Sequence, residues 1–510
     1  MKKTVIIIMF ITIFSKVIGL GREIVLAYYY GASSMSDAYL IAQTIPIVIF
    51  AFIGQAISTG YIPLYSRIFS DSGEKQAKRY TDNLITILIV ITALVFLLGQ
   101  VFTEQVVRVF ASGFEGATLD LAVQFTRYSL ISIVFLAIIN VFNAFLRVKG
   151  NYAITALIGI PMNVVVIISI ILSYKINIVF LGIGIAFSII AQLLFLIPFV
   201  WKKKYRFRWH FDLKDPNIKI LASLAAPIII GVAINDINKI VDRTIASQII
   251  VGGIAMLNYA NKLKWLILSI TATSFTTVLY PVITKMVVEK KNENLKKVIS
   301  EAITGINLLI MPATVGVMLL SVPIIELLFG RGAFDTEAIL MTSDVMIYYS
   351  IGMIGVALRE VLARPFYAMQ DMKTPMTNSS IGMMINIILN IILSYFIGLK
   401  GIALATSIAA IISAILMFVS LRKKIGPFGM KQISVSFVKI LFASLVMGLL
   451  AKLSFNYLTA SLSQNLSLLL AIGVGAVSYF VIIYFMKIED VDVIVGAVKK
   501  KIGKGISKAK

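Results

Sequence analysis

FSKVIGLGREIVLAYYYGASSMSD, residues 14–37, places Lys16, Arg22 and Glu23 inside the first long apolar run of the chain, which extends from about Thr4 to about Tyr30. Read as a helix at about 100° per residue, Ser15, Lys16, Gly19, Arg22 and Glu23 fall within an arc of roughly 120°, with Ile, Val, Leu and Phe on the other side. If such a helix crosses a bilayer, each cation near its middle costs about 2.5–3.5 kcal/mol unless it meets water, a partner or a ligand. The polar arc therefore predicts a lined cavity.

Composition sets the class. The 510 residues are 59% hydrophobic, with apolar runs of about 20 or more residues recurring to the end, so the fold class expected is an all-α polytopic membrane protein. The first span carries charges and lacks a small-residue cleavage site, which reads as a retained helix. Cysteine is absent and the single His210 lies in a basic loop, excluding disulfides, thiolate metal sites and histidine chemistry.

About 14 spans are predicted, near residues 4–30, 37–66, 81–102, 121–146, 152–174, 177–201, 218–248, 253–284, 298–320, 338–368, 374–397, 400–421, 434–454 and 464–486. With the N-terminus in the cytoplasm, most Lys and Arg fall on that side. The opposite loops hold only Arg108, Lys175, Arg331, Lys400 and Lys452. This asymmetry puts both termini in the cytoplasm and makes the net charge of +23 chiefly topogenic, with no nucleic-acid partner. KKKYRFR (202–208) and the Lys-rich tail add an attraction to anionic membrane lipids.

An internal repeat runs through the chain. FNAFLRVKGNY (Phe142–Tyr152) pairs with FYAMQDMKTPM (Phe366–Met376), GIGIAFS (Gly182–Ser188) with GIALATS (Gly401–Ser407), and Arg22 and Gly31 with Arg243 and Gly252. The offset stays near 220 residues, and six spans return the chain to the same side, so the two halves have parallel topology. The domains expected are an N-lobe at 1–204, a C-lobe at 205–424, two added helices at 425–486 and a basic cytoplasmic tail at 487–510.

Such an architecture implies a binding site between the lobes. In span 7, Asn235, Asp236, Lys239, Asp242 and Arg243 form a second polar arc of about 120°. Span 8 adds Lys262 and Lys264, and span 10 adds Arg359, Glu360 and Arg364. Asp236 with Lys239, Arg359 with Glu360, and Arg243 with either aspartate are alternatively structural pairs. Lys16, Arg22 and Lys262 are less easily neutralised, and the implied substrate is anionic.

SKVIGLGRE, GASSMSDAYLIAQTIP, the Ser58–Ser66 segment ending in GYIPLYS, NYANKLKW, GRGAF (Gly330–Phe334) and YAMQDMKTP together resemble the MurJ (MviN) lipid II flippases of the MOP exporter superfamily, in order along the whole chain. The family pattern Ser-Arg-x-x-Gly-x-x-Arg-Asp is matched by Ser15, Lys16, Gly19, Arg22 and Glu23, its Thr-Asp-Ala by Ser36, Asp37 and Ala38, and its Tyr-Ala-x-Arg by Tyr259, Ala260 and Lys262. Lys stands for Arg at Lys16 and Lys262, which keeps charge but loses the bidentate fork. The family's span-2 Arg pair is absent, since Ile45-Pro46-Ile47-Val48-Ile49-Phe50 is apolar.

The resemblance implies a bacterial cytoplasmic-membrane transporter, not an enzyme, that carries a polyprenyl-pyrophosphate-linked glycan. Lys16, Arg22, Asp37, Lys239, Arg243, Lys262 and Lys264 are the expected substrate-binding residues, and spans 13 and 14 the expected path for the lipid tail. Asp242, Asn386, Asn390 and Thr406 match positions that look like a sodium site in the family, with Asn390 where an Asp is expected; a polar helix clamp is the alternative. No phosphate-binding loop is present, so ATP hydrolysis by this chain is not expected. A monomeric transporter working beside cell-wall synthesis proteins is implied. Two alternatives stay open: export of another polyprenyl-linked glycan, or of cationic drugs with ion exchange. A glycan polymerase would need sizeable outer loops with paired acids, which the chain lacks.

Overall fold

The structure is a computed structural model. It describes residues 2–486, side chains excepted at 2–10, 56, 58 and 224–235. The basic tail at 487–510 and the side chain of Asn235 lie outside that set. Every regular element among the described residues is helical. In order these are α1 Lys2–Tyr30, α2 Ser34–Val101, α3 Thr103–Phe110, α4 Gly116–Leu130, α5 Ser132–Val148, α6 Tyr152–Leu157, α7 Gly159–Lys175, α8 Val179–Lys202, α9 Pro216–Ile249 and α10 Gly253–Leu268. A π-helical turn at Ser269–Thr273 joins α10 to α11 Ser274–Val288. There follow α12 Asn292–Leu319, α13 Ser321–Phe329, α14 Thr336–Ile351, α15 Met353–Ala368, α16 Lys373–Ile397, α17 Leu399–Ile425, α18 Met430–Leu458 and α19 Gln464–Phe485.

Among the described residues, 10 helical stretches are long and apolar enough to cross a membrane, or 11 if the 41° bend between α4 and α5 lies within one span. The chain is thus a multi-pass membrane protein. The difference from the 14 predicted spans has identifiable sources. The stretch α2 is two helices that meet at a kink, Gly73 at φ 80° and ψ 176°, so it holds two predicted spans. Its 68 residues are enough for more than one crossing of a bilayer core of about 30 Å.

Helix starts follow the local sequence. Ser33 and Ser36 form a reciprocal cap on α2: the Ser36 amide donates to Ser33 Oγ and the Ser33 amide to Ser36 Oγ at 2.9 Å. Asp215 caps α9 through the Asn217 amide at 2.9 Å, with Pro216 at the first helical position. Several ends close with a left-handed residue: Gly150 after α5, Lys204 after α8, Lys290 after α11, Gln370 after α15 and Gly426 after α17.

The chain divides into two compact units. The first holds the residues up to Tyr259 together with Phe329–Ala338; the second holds Ala260–Leu328 and the chain from Ile339. Within the first, α2 packs on α4, α5 and α9, and α7 pairs with α8. A polar linker, Tyr205–Asp215, is pinned to α2: Tyr205 donates to Asp82 at 2.6 Å, the Asp212 amide to Asn83 at 2.7 Å, and Arg79 to His210 Nε2 at 3.1 Å. Within the second unit, α17 packs on α15 and α16, and α18 on α12 and α19. A Cβ on Gly355 would stand 2.7 Å from the Ala410 carbonyl carbon, so only glycine allows that α15–α17 approach. Apolar side chains face outward instead, as at Ile391 of α16 and Leu453 of α18, both over half exposed, which suits helices solvated by lipid.

Candidate functional site

In the first unit, the polar face of α1 carries Lys16, which is exposed, and Arg22, which is 6% exposed. Arg22 is a correction to the expectation of an open cation: it forms a buried ion pair with Glu23, whose second carboxylate oxygen accepts from Asn258 Nδ2 at 3.0 Å. Adjacent residues on a helix are about 100° apart, yet the long guanidinium bends back to its neighbour because the alternative is an uncompensated charge in an apolar bundle. The arc is real, and one of its cations is neutralised locally.

Asp37 is corrected in the same way. Its two carboxylate oxygens accept from the backbone amides of Gly252 and Ala255, each at 2.8 Å, so it caps the start of α10. Nearby, Tyr259 donates to the Gly31 carbonyl at 3.2 Å and stacks on Phe329 with ring centroids 5.0 Å apart. The Ala333 amide donates to the Tyr28 carbonyl at 2.8 Å. Gly332, at φ 66°, lies so close to that carbonyl that a Cβ would collide with it.

On α9, Lys239 pairs with Asp236 at 2.7 Å, the structural pairing weighed from the sequence, and Arg243 donates to the Leu40 carbonyl at 3.4 Å. Asp242 stands one residue before it on the same helix. Asp236 and Lys239 line a polar cavity of about 670 Å³ with Gln55 of α2 and Asn140, Asn143 and Arg147 of α5. The α5 residues were missed as site candidates. Their spacing at i, i+3 and i+7 was legible, since it puts all three on one face of a helix.

In the second unit, Lys262 is exposed on α10. Lys264 is 5% exposed, with its ammonium 4.2 Å from the centre of the Tyr349 ring; it is a buried cation–π contact and not an open ligand, a further correction. Glu360 pairs with Arg364 at 2.8 Å, one helical turn on, in place of Arg359. Asn386, Asn390 and Thr406 do come together: Asn390 donates to Asn386 Oδ1 at 3.1 Å and Asn386 to Thr406 Oγ1 at 3.4 Å. The three bring no carboxylate, and the Asn386 carbonyl already accepts from Asn390. The three by themselves are a hydrogen-bonded contact between α16 and α17; Asp242, the fourth residue of the expected set, belongs to the first unit.

The second unit also holds an apolar cavity of about 730 Å³, lined chiefly by Leu308, Pro312 and Gly316 of α12, Met447 of α18, and Gly475 and Tyr479 of α19. Among the loops outside the spans, the Lys424 ammonium bonded to Asp371 holds that carboxyl down at about 2, while burial and the Asp82 carboxylate push the Tyr205 phenol up.

The family model described as lipid II flippase MurJ matches residues 26–475. A probable lipid II flippase MurJ of Vibrio cholerae is 28% identical over 511 aligned positions, covering 96% of each chain. Another, of Thermotoga maritima, is 29% identical over 485 positions, covering 94% of this chain and 96% of the relative. A solved structure of lipid II flippase MurJ in an inward closed conformation superposes with a TM-score of 0.82 at 27% identity, over 94% of this chain and 98% of that one. An inward-facing MATE family multidrug transporter of the MOP superfamily superposes with a TM-score of 0.69 at 14% identity, over 81% of this chain and 94% of that one, a likeness of fold alone.

Proposed function

The chain belongs to the MurJ family of lipid II flippases, and we propose how its residues carry that work. It is a membrane transporter and not an enzyme. The observation that carries the reading is the match of the family model to residues 26–475, most of the chain. In the proposed working cycle, alternating access moves the disaccharide-peptide headgroup of lipid II from the cytoplasmic to the outer leaflet of the bacterial cytoplasmic membrane. Lys16, Lys239, Arg243 and Lys262 bind the headgroup, with Arg22 and Glu23 as a buried pair that shapes the face of α1. Charge-assisted hydrogen bonds to pyrophosphate are roughly twice as strong as neutral ones. Asp37 holds the start of α10 by capping it, and Lys264 packs on Tyr349. The apolar cavity beside α18 and α19 takes the polyprenyl tail, a role favoured by its almost wholly aliphatic and aromatic lining.

The topology proposed is 14 spans with both ends cytoplasmic, as two six-span halves in parallel and two added helices. Backbone geometry supports the repeat independently of side chains. Gly31 and Gly252, Gly73 and Lys290, Gly150 and Gln370, and Lys204 and Gly426 are four pairs of left-handed residues, each pair about 220 residues apart. The spans broken at Ile131 and at Gly352 stand at the same offset.

Sodium is given no step, because Asn386, Asn390 and Thr406 bring no carboxylate of their own. Export of cationic drugs, the reading suggested by the MATE-like fold, calls for acids facing the cavity; the polar cavity instead has Arg147 and Lys239 against Asp236 alone. Anionic lipids at the basic cytoplasmic loops are the other partners proposed. The test is complementation: expression of this chain is expected to restore growth to a bacterial strain depleted of its own lipid II flippase. Failure despite correct membrane insertion would overturn the assignment.

A further inference from the structure

The linker between α8 and α9, residues 205–215, has a second side. The amides of Arg208, His210 and Asp212, every second residue, donate to Asp82 at 3.1 Å, Thr86 at 3.3 Å and Asn83 at 2.7 Å, all on α2. A spacing of two is strand periodicity, which turns the intervening side chains one way. Phe207, Trp209, Phe211 and Leu213 are all exposed, Trp209 by 63%, and the Phe207 and Trp209 rings meet edge to face with centroids 6.4 Å apart. Such a row of large apolar side chains, held in place by its own backbone, is a surface that meets something other than water.

Depth and charge identify the occupant. The contacts on α2 lie where its charged stretch, residues 74–79, gives way to the apolar run that begins at Leu84. The row therefore stands at the level of a membrane–water boundary, where amphipathic aromatic rings collect. Around it Lys202, Lys204, Arg206, Arg208 and Lys214 are exposed. The acids are turned inward instead: Asp82 accepts from the Tyr205 hydroxyl at 2.6 Å, Asp212 from the Lys214 amide at 2.8 Å and Asp215 from the Asn217 amide at 2.9 Å. The outward face is thus apolar and positive, the complement of an interface with anionic headgroups. We infer that residues 205–215 are an interfacial anchor: Phe207, Trp209, Phe211 and Leu213 insert at the headgroup level of the cytoplasmic leaflet, Arg206 and Arg208 bind anionic headgroups, and the hydrogen bonds to α2 fix that helix at the membrane surface. This extends the anionic-lipid contact proposed above from charge alone to a defined inserted row, and it rests on the cytoplasmic placement of the linker.

The experiment reads Trp209 fluorescence in the full-length protein, with Trp201→Phe and Trp265→Phe leaving Trp209 as the sole indole. Should that variant fail to fold, the difference between wild type and Trp209→Phe gives the same signal. The protein is placed in nanodiscs of phosphatidylglycerol, phosphatidylcholine or their mixture, with either lipid brominated close to its headgroup. Bromine on phosphatidylglycerol is expected to quench Trp209 strongly, and acrylamide in the water only weakly. In the mixture, the preference of Trp209 for brominated phosphatidylglycerol is expected to fall by up to about fivefold for each of Arg206→Gln and Arg208→Gln. High salt should reduce the preference in the same direction. Strong quenching by acrylamide with none by bromine would show the row facing water, open to a soluble partner, and would overturn the anchor. Equal quenching by the two brominated lipids, unmoved by the arginine variants, would overturn the anionic-headgroup contact. The readout does not depend on transport, so failed complementation with lipid contact retained would overturn the flippase reading alone, and lost contact with complementation retained would overturn the anchor alone.

Discussion

Arg22 and Glu23 share one buried ion pair, so each protects the other from desolvation, and removing a single partner strands a charge. Breaking a buried pair costs about 3–5 kcal/mol, whereas removing both charges together is often neutral or stabilising. Arg22→Ala is therefore expected to lower the melting temperature in detergent sharply, and Arg22→Ala with Glu23→Gln to recover most of the loss. Melting by the double variant as low as that of the single one would refute the pairing. Legibility at this scale was uneven. The helical arc of Ser15, Lys16, Gly19, Arg22 and Glu23 can be read from spacing alone, because periodicity reports which face a residue occupies. It does not report what that face meets, so the Glu23 contact with Asn258, the capping of α10 by Asp37 and the seat of Lys264 on Tyr349 were hidden. Each depends on a partner remote in sequence.

Helix ends were more legible than their partners, because capping chemistry is local. Pro216 after Asp215 announces a start, and Gly73 amid charged residues announces a break between two apolar arms. The break near Gln370 was legible in the predicted spans 338–368 and 374–397, but the left-handed conformation of Gln370 was not, since a non-glycine residue there gives no signal. Gln370 closes α15 at φ 60°, its amide donating to the Tyr367 carbonyl and the Asp371 amide to the Phe366 carbonyl at 2.9 Å. Its repeat partner is Gly150, which adopts the same region without a Cβ penalty. A left-handed L-residue costs about 1–2 kcal/mol, part of which glycine's greater unfolded-state entropy offsets. Gln370→Gly is accordingly expected to stabilise the protein by up to about 1 kcal/mol, read as a raised melting temperature. Gln370→Val, with a branched Cβ in that region, should lower it. The reverse order would show that the closing turn is not strained.

The first unit holds a cationic polar cavity and the second an apolar one, and the sequence carries no nucleotide-binding loop. The driving force expected is the membrane potential. The pyrophosphate carries roughly two negative charges, and an inside-negative potential favours their outward movement by about 2.3 kcal/mol per charge per 100 mV. Cavity cations such as Arg147 make the empty protein's return favourable under the same field, while Arg22 contributes little because Glu23 cancels it. Headgroup export is expected to stop when the potential is collapsed at normal ATP; unchanged export without any ion gradient would reject this coupling. The central claim, that this chain moves lipid II across the bilayer, is tested most directly by the leaflet distribution of lipid II in a strain whose only flippase is this chain. Depletion of the protein is expected to make lipid II accumulate in the cytoplasmic leaflet and vanish from the outer one, with recovery on re-expression. A distribution that stays the same through depletion would contradict the account.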